Sequence, residues 1–394
     1  MLTTPTAAPD TRQDVRQRMP ALAALAVAGF LAVTTEMLPV GLLPAIGGAF
    51  GVDDAVTGLL VTVFAVMVAV FAVPLTVATR RYPRKPLILI TVAGYLISNL
   101  LSAFAPSFAV VAAGRVVGGV AHALFFSVCI GYVPRLVERG QVGRGLALVA
   151  GGTTAGFVLG VPLSTALGAA IGWRGSFAVL AVLAAGVLVA ILRFLPAVSG
   201  TPAGRRIQTS GARSALGVVV TSNTLTFIGQ YTVYTYISVI LLTGGAGESW
   251  IGPLLLVCGV CGLAGLACVG RTIDRHPRTT VLTVLALLAA TILAVGLTHA
   301  WFVGLVVAIA LWNGLFGGVP SMYQTAAVRV FHEAPEVAGA WINGTSNLGI
   351  ALGAVLGGLF LGSSPAILAL SVTAAALVVA GLTVAVMGKR GFAP

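Results

Sequence analysis

The sequence predicts an all-α membrane protein with twelve transmembrane helices in two six-helix bundles. Only 8% of its 394 residues are charged and 58% are hydrophobic, and the mean hydropathy is +1.05. A soluble chain has about 25% charged residues, so this chain could not cover its surface with polar groups in water. Apolar runs of about 20 residues recur along the whole length, and each is long enough to cross a hydrocarbon core of about 30 Å as a helix. The alternating segments of about 10 residues that barrel strands require are not evident.

The predicted spans are separated by turn signals and charge clusters such as GVDD, RRYPRK and RTIDRHPR. The apolar run of the first span is longer than that of a signal peptide, so we expect this span to remain in the protein. The twelve predicted spans are 20–46, 56–79, 86–105, 108–132, 145–171, 174–195, 214–242, 250–270, 279–298, 301–327, 338–361 and 365–388.

The basic residues predict the orientation of the chain. All but two of the 22 lysines and arginines flank spans on one side of the membrane. The positive-inside rule makes that side cytoplasmic. We therefore expect a protein of the cell (cytoplasmic) membrane with both termini on the cytoplasmic side. The net charge of +12 then reflects orientation, and no nucleic-acid partner is expected.

The predicted domains follow from this arrangement. An N-terminal six-helix bundle covers 20–195 and a C-terminal six-helix bundle covers 214–388. A polar linker, 196–213, joins them, and polar tails at 1–19 and 389–394 complete the chain. The linker and both tails are expected in the cytoplasm.

Two internal matches indicate that the bundles arose by duplication. GGTTAGFVLG at 151–160 aligns with GTSNLGIALG at 344–353, at an offset of 193 residues. TVATRRYPR at 76–84 aligns with GRTIDRHPR at 270–278, at an offset of 194 residues. Parallel repeats of this kind suit a transporter that rocks one bundle against the other around a site at the membrane midplane.

Three further segments carry a resemblance to a known family. They are TEMLPVGLLPAI in the first span, GRVVGGVAHALFF in the fourth and GFVLGVPLSTALGAAIGWRGSF in the fifth. They resemble helices of major facilitator superfamily transporters, more narrowly the twelve-helix drug/proton antiporters and their sugar-efflux, arabinose-efflux-permease-like branch. The resemblance covers nearly the whole chain. It implies a proton-linked arginine at Arg115 and an antiporter motif at Gly156, Gly160 and Pro162.

The loop after the second span departs from the family's signature. That signature has a glycine and an aspartate before a basic cluster, where this chain has Thr76 and Arg80. The second half keeps both residues, as Gly270 and Asp274. We interpret the loss as a feature of the sugar-efflux branch. The resemblance implies cytoplasmic gate loops formed by Arg80, Arg81, Arg84, Asp274, Arg275 and Arg278.

Glu36 is the one acidic residue that falls deep in a predicted span, and Arg115 is the one basic residue. A charge at the centre of a span costs about 2.5–3.5 kcal/mol, so such residues are functional candidates. By helical rise, Glu36 lies about 24 Å from the cytoplasmic end of its span and Arg115 about 10 Å from the outer end. Both therefore fall in the outer half of the membrane, where they can approach each other.

Glu36 is open to three interpretations: a proton carrier, a helix–helix hydrogen bond, or a direct contact with substrate. In the first, a changing distance to Arg115 would load and unload a proton. His122 lies two turns beyond Arg115 on the same face. It could relay protons or bind substrate, or it could simply be a hydrogen-bonded packing residue.

A substrate cavity is predicted from polar and aromatic side chains that share helical faces. At the offset of 194 residues, Glu36 corresponds to Gln230 in the seventh span. Amides and aromatic rings in the cavity wall suit a neutral or modestly polar solute. The predicted cavity residues are Phe126, Asn223, Phe227, Gln230, Tyr234, Asn313, Phe316, Gln324 and Asn347. Asn347 could instead join helices.

Several motifs have a plain structural alternative. Glycines at 151, 152, 156 and 160 are spaced for close helix packing. Cys258 and Cys261 form a C-x-x-C in an apolar helix, where small packing residues are expected rather than a metal or redox site. No phosphate-binding loop is present, and no cofactor is expected.

The function expected from the resemblance is proton-coupled efflux of a small organic molecule such as a drug, sugar or metabolite. A proton-coupled importer of a sugar or nucleoside is the alternative. A membrane enzyme is disfavoured because its spans should contain a His/Asp, Ser/Lys, paired-Asp or HExxH arrangement, and none occurs. The expected partners are the small-molecule substrate, protons and the lipid bilayer, and we expect a monomer.

Overall fold

A computed structural model of the chain describes residues 14–198, 210–332, 334–361 and 366–392. These residues are almost entirely helical. The helices are α1 (Met19–Phe50), α2 (Asp54–Thr79), α3 (Arg84–Ala103), α4 (Phe108–Leu136), α5 (Val142–Phe194), α6 (Ser210–Tyr234), α7 (Ile237–Thr243), α8 (Glu248–Thr272), α9 (Pro277–Thr298), α10 (Phe302–Phe316), α11 (Val319–Val330), α12 (Pro335–Gly358) and α13 (Ala366–Met387). Parts of the predicted tails, linker and last loop, at 1–13, 199–209, 362–365 and 393–394, lie outside the described residues.

The helices that are apolar enough to span a membrane are fewer than the twelve predicted spans. By length and composition alone, nine helices in the described ranges can cross a membrane, or ten if the bent pair α6 and α7 is one span. The fifth and sixth predicted spans form the single element α5, which Gly172 interrupts with a non-helical φ of 77°. The eleventh is α12, which is polar but largely buried among other helices. With α5 counted as two limbs, α6 and α7 as one span, α10 and α11 as one span and α12 included, the helices account for all twelve spans.

Two hydrophobic cores divide the chain into halves. One is built from buried residues between Val15 and Val198, in α1 to α5. The other is built mainly from residues between Leu216 and Phe392, and it also includes Val33 and Met37 of α1. The second core therefore extends across the contact between the halves, and the two bundles pack as one body around a central space.

The helices alternate in direction, so they share two ends. We call the end where α1 begins and α13 ends the terminal end, and the opposite end, which holds the turn between α1 and α2, the distal end. At the terminal end, Gln141 donates a hydrogen bond to the Asp14 carboxylate (3.0 Å) and accepts one from the Val15 N–H (2.8 Å). The Gln141 bond is the main reason that the pKa of Asp14 is lowered from its usual range. The segment before α1 is thereby attached to the loop before α5.

The glycines aligned by the internal repeat occupy matching places in the two halves. Gly156 and Gly160 of α5 pack directly on α1, where an added methyl group would lie 2.9 Å from Val33 Cβ and from Thr34 Oγ1 respectively. Their repeat partners, Gly349 and Gly353 of α12, pack in the same way on α6. Small residues allow the main chains of paired helices to come this close. The duplicated sequence thus produces a duplicated helix contact.

Candidate functional site

A cavity of about 510 Å³ lies between the two halves. Its lining comes from the middle of the helices and from the part nearer the terminal end. The lining segments include 33–37 of α1, 122–129 of α4, 146–162 of α5, 227–234 of α6, 255–266 of α8, 313–324 of α10 and α11, and 339–350 of α12. Cavities of this size hold drug-sized ligands. The cavity therefore reaches from mid-depth toward the terminal end of the bundle.

The distal end is closed by contacts between the halves. Ser238 of α7 donates a hydrogen bond to the main-chain oxygen of Val40 in α1, at 3.1 Å. Gly58 of α2 packs against the ring of Tyr236, whose hydroxyl donates to the Ala354 carbonyl at 2.8 Å. These contacts separate the cavity from the distal end.

Two prolines inside α1 explain the local chemistry of this helix. A proline has no N–H, so the carbonyl four residues before it loses its helical partner. Pro39 and Pro44 therefore free the carbonyls of Thr35 and Val40. A guanidinium N–H of Arg115 donates to the Thr35 oxygen at 2.6 Å, and Ser238 donates to the Val40 oxygen. Both freed carbonyls thus regain partners, as a membrane interior requires.

Arg115 binds main-chain oxygens of α1 and α2 rather than the Glu36 carboxylate. It donates to the carbonyls of Thr35 (2.6 Å), Glu36 (2.7 Å) and Leu60 (3.2 Å), and its guanidinium lies 4.2 Å from the centre of the Phe64 ring. Arg115 is completely buried. Arg115 approaches Glu36, as expected, but it binds the main-chain oxygen of this residue and not its carboxylate. The reason is that the carbonyls of α1 and α2 occupy the guanidinium donors.

His122 is the residue that faces the Glu36 carboxylate. Its Nε2 lies 3.5 Å from Glu36 Oε2, and the two residues are 1% and 5% exposed. Aromatic rings of Phe64, Tyr95 and Phe126 surround the imidazole, with centroid distances of 5.4, 6.2 and 4.9 Å. Glu36, His122 and Phe126 all line the cavity. The imidazole and the Glu36 carboxyl group therefore lie side by side in the cavity wall.

Six of the cavity residues expected in the second half line the cavity, and two do not. Phe227, Tyr234, Asn313, Phe316, Gln324 and Asn347 are in its wall. Asn223 lies behind the wall and donates to Thr345 and Ser346 of α12, at 3.1 and 2.9 Å. Gln230 accepts a hydrogen bond from the Trp312 indole at 2.7 Å. Both amides are fully buried and join α6 to its neighbours.

The proposed antiporter motif lies where α5 meets α1. Gly156 and Gly160 form the close contact with α1, and Pro162 lines the cavity. The motif therefore connects the wall of the cavity to the helix that carries Glu36.

The expected gate residues have different environments at the terminal end. Arg84 is 2% exposed and lies 3.3 Å from the carboxylate of Glu336, at the start of α12, so it connects the halves. Arg278 donates to the Val386 carbonyl at 2.9 Å. Asp274 pairs with Arg329 at 2.6 Å within the second half. Arg80 is half-buried, while Arg81 and Arg275 are exposed.

Some residues of the site were not identified from the sequence. Glu336 was not among the predicted site residues, although its position just before a predicted span is a signal for a contact at a helix end. Phe157, Cys129 and Cys258 also line the cavity. The cysteines are free thiols, and the described residues contain no His, Cys, Asp and Glu group suited to hold a metal ion.

The family model of the Major Facilitator Superfamily matches residues 25–354. This chain belongs to the major facilitator superfamily. The family match, the helical fold and the cavity between two bundles identify a membrane transporter rather than an enzyme.

The chain is similar to two efflux proteins and to one transporter of known structure. The chain is 34% identical over 387 residues to a chloramphenicol efflux pump of Mycobacterium tuberculosis, covering 95% of this chain and 92% of that protein. It is 28% identical over 349 residues to a probable sugar efflux transporter of Pasteurella multocida, covering 88% and 86%. The crystal structure of a D-xylose-proton symporter matches with a TM-score of 0.74 at 15% identity, covering 97% of this chain and 98% of that one. At this identity, the structural match shows the superfamily fold alone.

Proposed function

We propose that this major facilitator superfamily transporter exports a small organic molecule across the cytoplasmic membrane in exchange for protons. The observation that supports this most directly is the Glu36 carboxylate in the cavity wall, 3.5 Å from His122. The two relatives, an efflux pump and a probable efflux transporter, support the direction of transport. We also infer a monomer with both termini in the cytoplasm and no nucleic-acid partner.

The coupling follows from the cost of moving a charge out of water. While the cavity is hydrated, the Glu36 carboxylate borders water. When the bundles close around it, the charge must be neutralised by a proton or compensated by His122, because an uncompensated buried charge costs several kcal/mol. Arg115 remains attached to the main chain of α1. It holds the segment that carries Glu36 in position.

The energy available from the proton is sufficient for export. One proton moving down about 100 mV provides about 2.3 kcal/mol, and one pH unit adds about 1.4 kcal/mol. For a neutral solute, the sum supports a concentration gradient of between two and three orders of magnitude.

The cavity extends toward the terminal end. Under the inferred orientation, substrate would enter this state from the cytoplasm.

The test is transport in proteoliposomes with an imposed pH gradient, using chloramphenicol and a panel of neutral sugars. We expect substrate to move against the direction of proton flow. Glu36→Gln should bind substrate but lose the response to the gradient. Glu248→Gln, an exposed acid at the distal end of α8, is the matched control and should behave as the wild type.

Two outcomes would refute parts of this proposal. Transport of every compound at a rate indifferent to the gradient would exclude proton coupling. Full coupling in Glu36→Gln would exclude Glu36 as the carrier. Movement of substrate in the same direction as protons would instead identify an importer.

A further inference from the structure

Two asparagines in the cavity wall use their hydrogen-bond donors in the same way. Asn313 of α10 donates through Nδ2 to the Ile309 carbonyl at 2.9 Å. Asn347 of α12 donates through Nδ2 to the Asn343 carbonyl at 3.1 Å. Each of these bonds runs to the carbonyl four residues earlier on the same helix, and Asn347 Nδ2 also donates to Asn343 Oδ1 at 3.3 Å. Both side chains are thereby fixed with the amide oxygen, Oδ1, left to act as an acceptor.

The amide oxygen of Asn347 has the greater need of a hydrogen-bond partner, because Asn347 is the more buried of the two residues. Asn347 is 3% exposed, and its Oδ1 has no hydrogen-bond partner within the described part of the chain. A buried polar atom without a partner is costly, so such atoms in a ligand cavity favour a ligand that supplies the missing group. The group that completes a carbonyl oxygen is an N–H or O–H donor.

Aromatic rings surround the space next to these acceptors. Phe227 and Tyr231 are stacked with centroids 6.0 Å apart, and Phe316 meets Phe227 edge-on at 5.4 Å. Phe126 faces them from the first half, and all four rings line the cavity. Planar rings of a ligand pack well in offset or edge-on arrangements with such side chains.

We propose that Asn313 and Asn347 accept hydrogen bonds from N–H or O–H groups of a neutral ligand that also carries an aromatic ring. The two asparagines then distinguish a ligand with free donors from the same ligand with its donors masked. This inference rests on the proposed function of the cavity as the transport site, but it concerns binding and does not depend on proton coupling.

The test measures equilibrium binding to the purified full-length chain in detergent, without any gradient. The probes are chloramphenicol and a phenyl glucoside, each compared with its O-acetylated ester, which lacks the hydroxyl donors. The variants are Asn313→Leu and Asn347→Leu. The matched control is Thr383→Val, because the Thr383 hydroxyl also donates to the carbonyl four residues earlier, that of Val379 at 2.9 Å, but Thr383 is exposed on α13 and lies outside the cavity wall.

We expect the wild type and Thr383→Val to prefer the free alcohols over the esters. In each asparagine variant, that preference should fall about fivefold, as expected for the loss of one neutral hydrogen bond. Binding of the ester should change little, which shows that the variant is folded. The alcohol-to-ester affinity ratio of each variant is divided by that of the wild type. This quotient measures the hydrogen bond separately from the effect of the ester's bulk.

An equal preference in the wild type and both asparagine variants would overturn the proposal, and so would the absence of binding by both free alcohols. Failure of proton coupling would be seen only in the gradient experiment. The binding result therefore distinguishes failure of this inference from failure of the proposed function.

Discussion

The contact between α1 and α5 allows a graded test of helix packing with three neighbouring glycines. Gly151 is exposed, and a methyl group added there would meet nothing within 4 Å. At Gly156 the methyl would lie 2.9 Å from Val33 Cβ and 3.0 Å from the Phe30 carbonyl oxygen. At Gly152 it would overlap the Ala26 carbonyl group and lie 2.7 Å from Ala26 Cα. The three sites thus run from open space to contact with main chain that cannot move independently.

The expected effects follow from two opposing terms. Replacing a helical glycine with alanine gains about 0.5–1 kcal/mol, because alanine loses less backbone entropy on folding. Overpacking a close contact costs about 1–3 kcal/mol and sometimes more. Gly151→Ala should therefore be neutral or stabilising, Gly156→Ala mildly destabilising, and Gly152→Ala destabilising by about 2 kcal/mol or more.

The measurement is thermal unfolding of each purified variant in the same detergent, followed by size-exclusion chromatography after heating. The order of midpoints should be Gly151→Ala highest, then Gly156→Ala, then Gly152→Ala. Equal midpoints for Gly151→Ala and Gly152→Ala would show that the helices are not in main-chain contact at this position.

Other contacts give shorter tests. Arg115→Lys should lower the unfolding midpoint, because one ammonium cannot replace the planar guanidinium on three carbonyls; an unchanged midpoint would contradict the bonding described. Glu336→Gln should weaken the contact with Arg84 and increase the rate at which Cys258 in the cavity is alkylated. An alkylation rate equal to that of the wild type would refute this expectation. Gly172→Ala should cost about 1–3 kcal/mol, because its φ of 77° is strained for other residues. A midpoint at or above that of the wild type would contradict this expectation.

The fold could be predicted from the sequence because lipid imposes a strong constraint on composition. Long apolar runs separated by turn signals predicted the helices and their number, while the orientation expected from the basic loops stays a prediction. The junctions were less predictable. Nothing in the hydropathy of GWR distinguishes a loop from the single bent residue Gly172, and the break between α6 and α7 falls inside one apolar run.

The site was predicted in part. Helical periodicity groups residues by angle, and it correctly grouped Phe227 with Tyr234 in the cavity wall. It cannot indicate which neighbouring helix covers a face, so Asn223 and Gln230 were expected in the wall but lie behind it. For the same reason the sequence paired Arg115 with the Glu36 side chain, whereas three main-chain carbonyls hold the arginine, and one of them, that of Thr35, is freed by Pro39. Their functional roles stay predictions.

The two freed carbonyls of α1 have different fates in a moving protein. The Thr35 oxygen is bound by Arg115 in the same half, so this bond can travel intact with its bundle. The Val40 oxygen is bound by Ser238 in the opposite half. When the halves separate at the distal end, that oxygen loses its partner and water must replace the serine hydroxyl. Opening of the distal end is therefore linked to hydration of a single backbone atom, which makes Val40 a natural position for a spectroscopic reporter of the state that is open at this end.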